Sequence, residues 1–123
     1  VWEFHWNVKG PSFGSYHADF KELYETQIER VDSIAERLRA LGAMPPKTLQ
    51  QVIELKTMRE VDPSITASEM WGETNFTWKS LLDEAKEILS KIPSGTDPGT
   101  ENFLQGLVED IEKELWMIRM RIS

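Results

Sequence analysis

The sequence predicts an all-α fold, a four-helix bundle whose first helix is cut short. Two observations predict it. Apolar residues recur at steps of three and four through three long segments, the spacing of one helix face. No segment alternates apolar and polar residues over the length of a strand, and Val and Ile stand singly at helical spacing. With 123 residues, 40% of them hydrophobic and 28% charged, the chain has the size and balance of one domain with a modest core, residues 1–123.

The opening "VWEFHWNV" has no initiator Met and reads as the last turns of a helix whose start lies upstream. "NVKGPSFGS" breaks that helix. The first long helix is expected from about Ser15 to Leu41, with a stripe running through Tyr16, Phe20, Tyr24, Ile28, Val31 and Leu38 to Leu41. Gly42 supplies its left-handed stop, and "MPP" at 44–46 prevents continuation. The linker from 43 to 65 contains "KTLQQVIEL", a short helix of about two turns. A second long helix is expected near Thr66, where Glu69 three residues on completes a capping box. It carries Met70, Trp78, Leu82 and Ala85, and it stops at Pro93 and "SGTDPG". The third long helix is expected from about Thr100, with Leu104, Leu107, Ile111, Leu115 and Ile118 on its stripe. Short connections favour antiparallel neighbours, and the long linker permits one crossover. This is the ferritin-like variant of the four-helix bundle, with a short extra helix in the crossover.

Composition excludes several functions. The formal charge of −7, with no cluster of Lys or Arg, argues against non-specific DNA binding by the folded surface. It suits a protein that collects cations. The absence of cysteine excludes disulfides, zinc fingers and thiol catalysis. No apolar run approaches the ~20 residues that span a bilayer, so no membrane partner is expected.

The chain has two histidines, His5 and His17, on either side of the first helix break. On the helix that follows, Asp32 and Glu36 are i,i+4 neighbours, so their carboxylates share a face one turn apart. His17 lies fifteen residues before Asp32. That places the two within about 60° around the helix but roughly 22 Å apart along it. Donors to one ion can be only about 4 Å apart, so a single chain cannot bring them together. Two copies can. If the helix packs antiparallel on its twin about a two-fold axis near residues 26 and 27, His17 of one copy faces Asp32 and Glu36 of the other. The isologous dimer then holds two such sites. His5 can join His17 across the loop. Two imidazoles and two carboxylates suit Fe(II), Mn(II) or Zn(II). Each histidine alone also fits a hydrogen-bonded packing residue. The carboxylate pair also fits a solvated face neutralised by Arg30 or Arg37.

Elsewhere, Trp71, Trp78 and Trp116 are expected in the core or at subunit contacts. Asp97 and Glu101 in "TDPGTEN" fit either favourable acids at a helix N-terminus or the lining of a three-fold pore, the first being the simpler reading.

The run "FHWNVKGPSFGSYHADFKELYETQIERVDSIAERLRALGA" resembles the signature of the Dps proteins, the mini-ferritins first described as DNA-binding proteins of starved cells. The specific elements are "HWNV.GP.F...H" followed by "VD.IAER...LG", and the resemblance continues to "EKELWMIRM". It implies a cytoplasmic homododecameric shell of tetrahedral symmetry that oxidises Fe(II), preferably with hydrogen peroxide, and stores ferric mineral. It implies a ferroxidase centre at the dimer two-fold. The carry-over matches His5, His17, Asp32 and Glu36 as metal ligands and catalytic residues, with Trp6 as the aromatic beside the centre. Zn or Mn could substitute for Fe. DNA binding in the family often depends on basic tails, and none is visible here. The chain departs from the pattern at one ligand. Family members commonly carry Asp or Glu four residues after the second histidine, where this chain has Lys21. The alternative implied is a redox-impaired shell or a DNA-compacting protein.

Overall fold

In a computed structural model, residues 1–122 are described, and all regular secondary structure among them is helical. Five helices follow in order: α1 (Trp2–Asn7), α2 (Phe13–Ala40), α3 (Leu49–Glu54), α4 (Ala67–Ser90) and α5 (Pro98–Ile122). They group into two compact units, Val1–Ser64 and the chain from Ile65 onward. Among the described residues no helix is long and apolar enough to cross a membrane.

In the first unit α1 packs on α2 through a tight reversal. Val8 leaves the helix in extended geometry, and Gly10 takes φ +111°, a backbone region open to glycine and costly for other residues. Pro11 and the Ser12 cap follow, and Phe13 N–H closes the turn on Gly10 O at 3.0 Å. The break therefore spans residues 8–12, and α2 starts two residues earlier than the periodicity predicts. Phe4 and Phe20 lock the pair, both buried and edge to face at 5.7 Å. At the other end Gly42, at φ +83°, donates to Arg39 O, and Ala43 donates to Leu38 O. These two bonds form a Schellman stop at the expected place. Thr48 caps α3 by accepting Gln51 N–H. Leu49, Val52, Ile53 and Leu55 of that segment are all exposed.

In the second unit α4 and α5 run antiparallel. The Arg121 guanidinium lies 4.8 Å over Trp71, while further along Trp78 Nε1 donates to Glu114 Oε2 at 2.6 Å and Lys86 pairs with Glu112 at 2.8 Å. Met70, Trp71, Trp78, Ile111, Leu115 and Ile118 are buried, whereas Trp116 is exposed. The buried Thr74 hydroxyl satisfies itself on Met70 O, one turn back. The α4 capping box is present as read: Thr66 Oγ1 accepts from Glu69 N–H, and Glu69 Oε2 accepts from Thr66 N–H. Hydrogen bonds from the Thr66 backbone and hydroxyl hold the Glu69 carboxyl below its ordinary range. α5 starts at Pro98 and not at Thr100, because Asp97 caps it by accepting Thr100 N–H, and proline is preformed for the first helical position. Glu101 accepts from Gly95 N–H. Both acids of this turn thus serve the helix start.

Candidate metal centre

The α1–α2 reversal sets His5 against His17. The rings stack with centroids 3.8 Å apart and an interplanar angle of 20°. Each imidazole bonds to the main chain of the other residue: His5 Nδ1 to His17 O at 2.6 Å and His17 Nδ1 to His5 O at 2.7 Å. A carbonyl oxygen only accepts, so each Nδ1 carries a proton and donates. Both rings are thereby oriented, and each keeps Nε2 for a further partner. That is the usual support of a metal-bound histidine, with one nitrogen held by a carbonyl and the other left to ligate. Phe13 stacks beside His17 at 5.0 Å, and Tyr24 meets His5 edge-on at 5.4 Å. Trp6 is largely exposed and stacks on Trp2 at 6.4 Å. Trp2 in turn meets Tyr24 at 5.5 Å.

Asp32 and Glu36 lie on the exposed face of α2. Arg30, two residues before Asp32, donates to Gln27 Oε1 at 3.0 Å. α2 is unbroken from Phe13 to Ala40, so the axial separation of about 22 Å between His17 and Asp32 stands. No group of three or more His, Asp or Glu among the described residues converges within the chain. The structure therefore brings His5 and His17 together and leaves Asp32 and Glu36 a helix-length away.

Lys21 follows His17 by one turn and pairs with Glu25 at 3.8 Å, both side chains about half exposed. Beside these residues a groove of about 530 Å³ is lined by Trp2, Tyr24, Gln27, Ile28 and Val31 with Val1 and Glu3. The predicted α2 stripe divides here. Phe20 is fully buried, while Ile28 is 52% and Val31 66% exposed. Gln27 Nε2 is buried in this region without a hydrogen-bond partner. The roles of Tyr24 and Gln27 escaped the sequence reading. For Tyr24 the signal was present, since seven residues after His17 returns to the same helix face. Gln27 breaks no pattern and left no signal.

A family model, the ferritin-like domain, matches residues 1–123. The chain is 34% identical to the "DNA protection during starvation protein 2" of Bacillus anthracis over 116 residues, 94% of this chain and 80% of that one. Its fold matches the crystal structure of Dps from Staphylococcus aureus with a TM-score of 0.90 at 30% identity, covering 98% of this chain and 80% of that chain. It matches the Dps protein of Vibrio cholerae O1, described as a member of a broad superfamily of ferritin-like diiron-carboxylate proteins, with a TM-score of 0.91 at 26% identity, covering 98% and 76%.

Proposed function

Because the chain belongs to the ferritin-like family and to its Dps branch, we propose that it is an iron-sequestering ferroxidase whose sites are shared between subunits. The single observation that carries this reading is the mutual main-chain grip of His5 and His17. It leaves two imidazole nitrogens open while the two carboxylates sit too far along the same rod to reach them. An antiparallel dimer about a two-fold near residues 26 and 27 closes the gap and covers Ile28 and Val31. The match over residues 1–123 supports reading both units as one domain.

Fe(II) is the substrate. Nε2 of His5 and His17 and the carboxylates of Asp32 and Glu36 from the other copy bind it. Carboxylate oxygens stabilise Fe(III) more than Fe(II), which lowers the potential and favours electron loss to hydrogen peroxide. Overall two ferrous ions, bound in turn or together at the centre, give up one electron each, and one peroxide accepts both, its oxygen–oxygen bond breaking. With water the ferric product becomes oxyhydroxide and releases protons. The net charge of −7 favours cation entry to the interior of a dodecameric shell assembled from such dimers, where the mineral collects. Removing Fe(II) and peroxide together suppresses hydroxyl radical formation in the cytoplasm. Zn or Mn in the same donors would give a redox-silent site.

The test is complementation. His17→Ala and Asp32→Ala each abolish fast Fe(II) oxidation after a peroxide pulse while the shell stays assembled. Co-refolding the two variants restores about a quarter of the wild-type rate, because half the dimers are mixed and each mixed dimer has one intact site. Unchanged oxidation in both single variants defeats the reading. Two inactive variants whose mixture stays inactive would place the donors within one chain.

Lys21 favours a second reading, a redox-impaired shell or a DNA-compacting protein, and a relative's name, DNA protection during starvation protein 2, points toward DNA. A gel shift on the assembled protein at two salt concentrations separates the readings, since binding through phosphate contacts weakens steeply with salt.

A further inference from the structure

We propose that Lys21 limits each shared site to one divalent ion by placing an ammonium where a second ion would sit. This inference rests on the shared-site reading above. Antiparallel pairing about a two-fold fixes every facing pair once one is fixed. The midpoint of positions 17 and 36 falls between Thr26 and Gln27, and the midpoint of 21 and 32 is the same point. The register that sets His17 against Glu36 of the partner subunit therefore sets Lys21 against Asp32 of the partner subunit. Viewed down α2, His17, Lys21, Asp32 and Glu36 lie within about 100° of one another, and a two-fold keeps them on one side of the contact. The two facing pairs are one turn apart, about 6 Å along the axis.

Asp32 of the partner subunit then lies between the metal bound by the histidines and the Lys21 ammonium. The present partner of Lys21, Glu25, holds it weakly: the contact is 3.8 Å long and half exposed on both sides, an i,i+4 pair of small worth. Little opposes redirection of the ammonium to Asp32 at a contact that excludes water. A protonated amine has no lone pair to give a metal. A second divalent ion would meet a fixed positive charge within a few ångströms, in surroundings where such repulsion is poorly screened. The V. cholerae relative belongs to proteins described as diiron-carboxylate. Exchanging Lys21 for a carboxylate changes the local charge by two units, the charge of one divalent ion.

Anaerobic titration of the assembled protein with Co(II), followed by its ligand-field absorption, tests this. Wild type saturates at one Co(II) per chain. Lys21→Asp saturates at two, a twofold rise. Lys21→Met, which removes the charge without adding a ligand, admits a second ion more weakly than Lys21→Asp, and a Lys21→Met that still excludes it overturns the role of the ammonium. Lys21 is half exposed, and sizing with circular dichroism checks that each variant assembles. Two ions per chain in wild type, or one in Lys21→Asp, overturns the proposal while His17→Ala and Asp32→Ala still abolish binding. Co(II) binding that survives both alanine variants overturns the shared site itself.

Discussion

His5 and His17 hold each other by main-chain oxygens, so their alignment depends on the path of residues 8–12 more than on any neighbouring side chain. Gly10 carries that dependence, since its φ of +111° is costly for a residue with a Cβ although nothing stands within 4 Å of the added atom. Gly10→Ala is expected to destabilise by about 1–3 kcal/mol through backbone strain alone. Urea unfolding checks the stability. Co(II) affinity should fall in the same variant, because the rings shift with the turn. The histidines were legible as a pair from their positions around the break. Their reciprocal bonds were not, because spacing says which residues approach and not which atoms meet. For Asp32 and Glu36 the spacing was legible as a shared, exposed face one turn apart, and it left both the ligating and the solvated reading open.

At the scale of elements, the helix boundaries that carry capping chemistry were the readable ones. Thr66 with Glu69, and Gly42 with its left-handed φ, stand where the sequence places them. Thr66→Ala should cost about 1 kcal/mol, the usual worth of an N-cap, read by thermal unfolding. The Glu69 contribution depends on pH with a definite sign. Its folded-state carboxyl is held below the ordinary value of 4.5, so its stabilisation is full above that value and is lost as pH falls through the folded value. Melting temperatures of wild type and Glu69→Ala should therefore converge on acidification below pH 4.5. A gap that stays constant to pH 3 would show that the charge plays no part. The long α2 stripe was legible as apolar but misleading as core. Periodicity marks a face that avoids water, and it does not say whether the same chain or another copy provides the cover. Ile28 and Val31 show the difference, for both lie on the stripe and both are exposed within one chain.

At the scale of the molecule, the proposed split of donors between copies would tie metal binding to association. Any ligand that binds only the paired state stabilises it, by about 2.7 kcal/mol at a hundredfold excess over its dissociation constant. Zn(II) should raise the thermal midpoint of wild type and leave His17→Ala unmoved, and it should shift a dilute sample toward the dimer in sedimentation. A rise of equal size in both proteins would place the ion elsewhere. The helical class and the acidic net charge were legible at this scale. Spacing also showed that one chain cannot join His17 to Asp32, but it could not show the atoms by which His5 and His17 hold each other. On the proposed shared site α2 acts as a ruler, since one uninterrupted rod from Phe13 to Ala40 carries His17, Asp32 and Glu36. One residue inserted between His17 and Asp32 lengthens it by about 1.5 Å and turns its far end by about 100°. Symmetry would copy that misprint into both cradles of the pair, whereas the same insertion beyond Ala40 would touch neither.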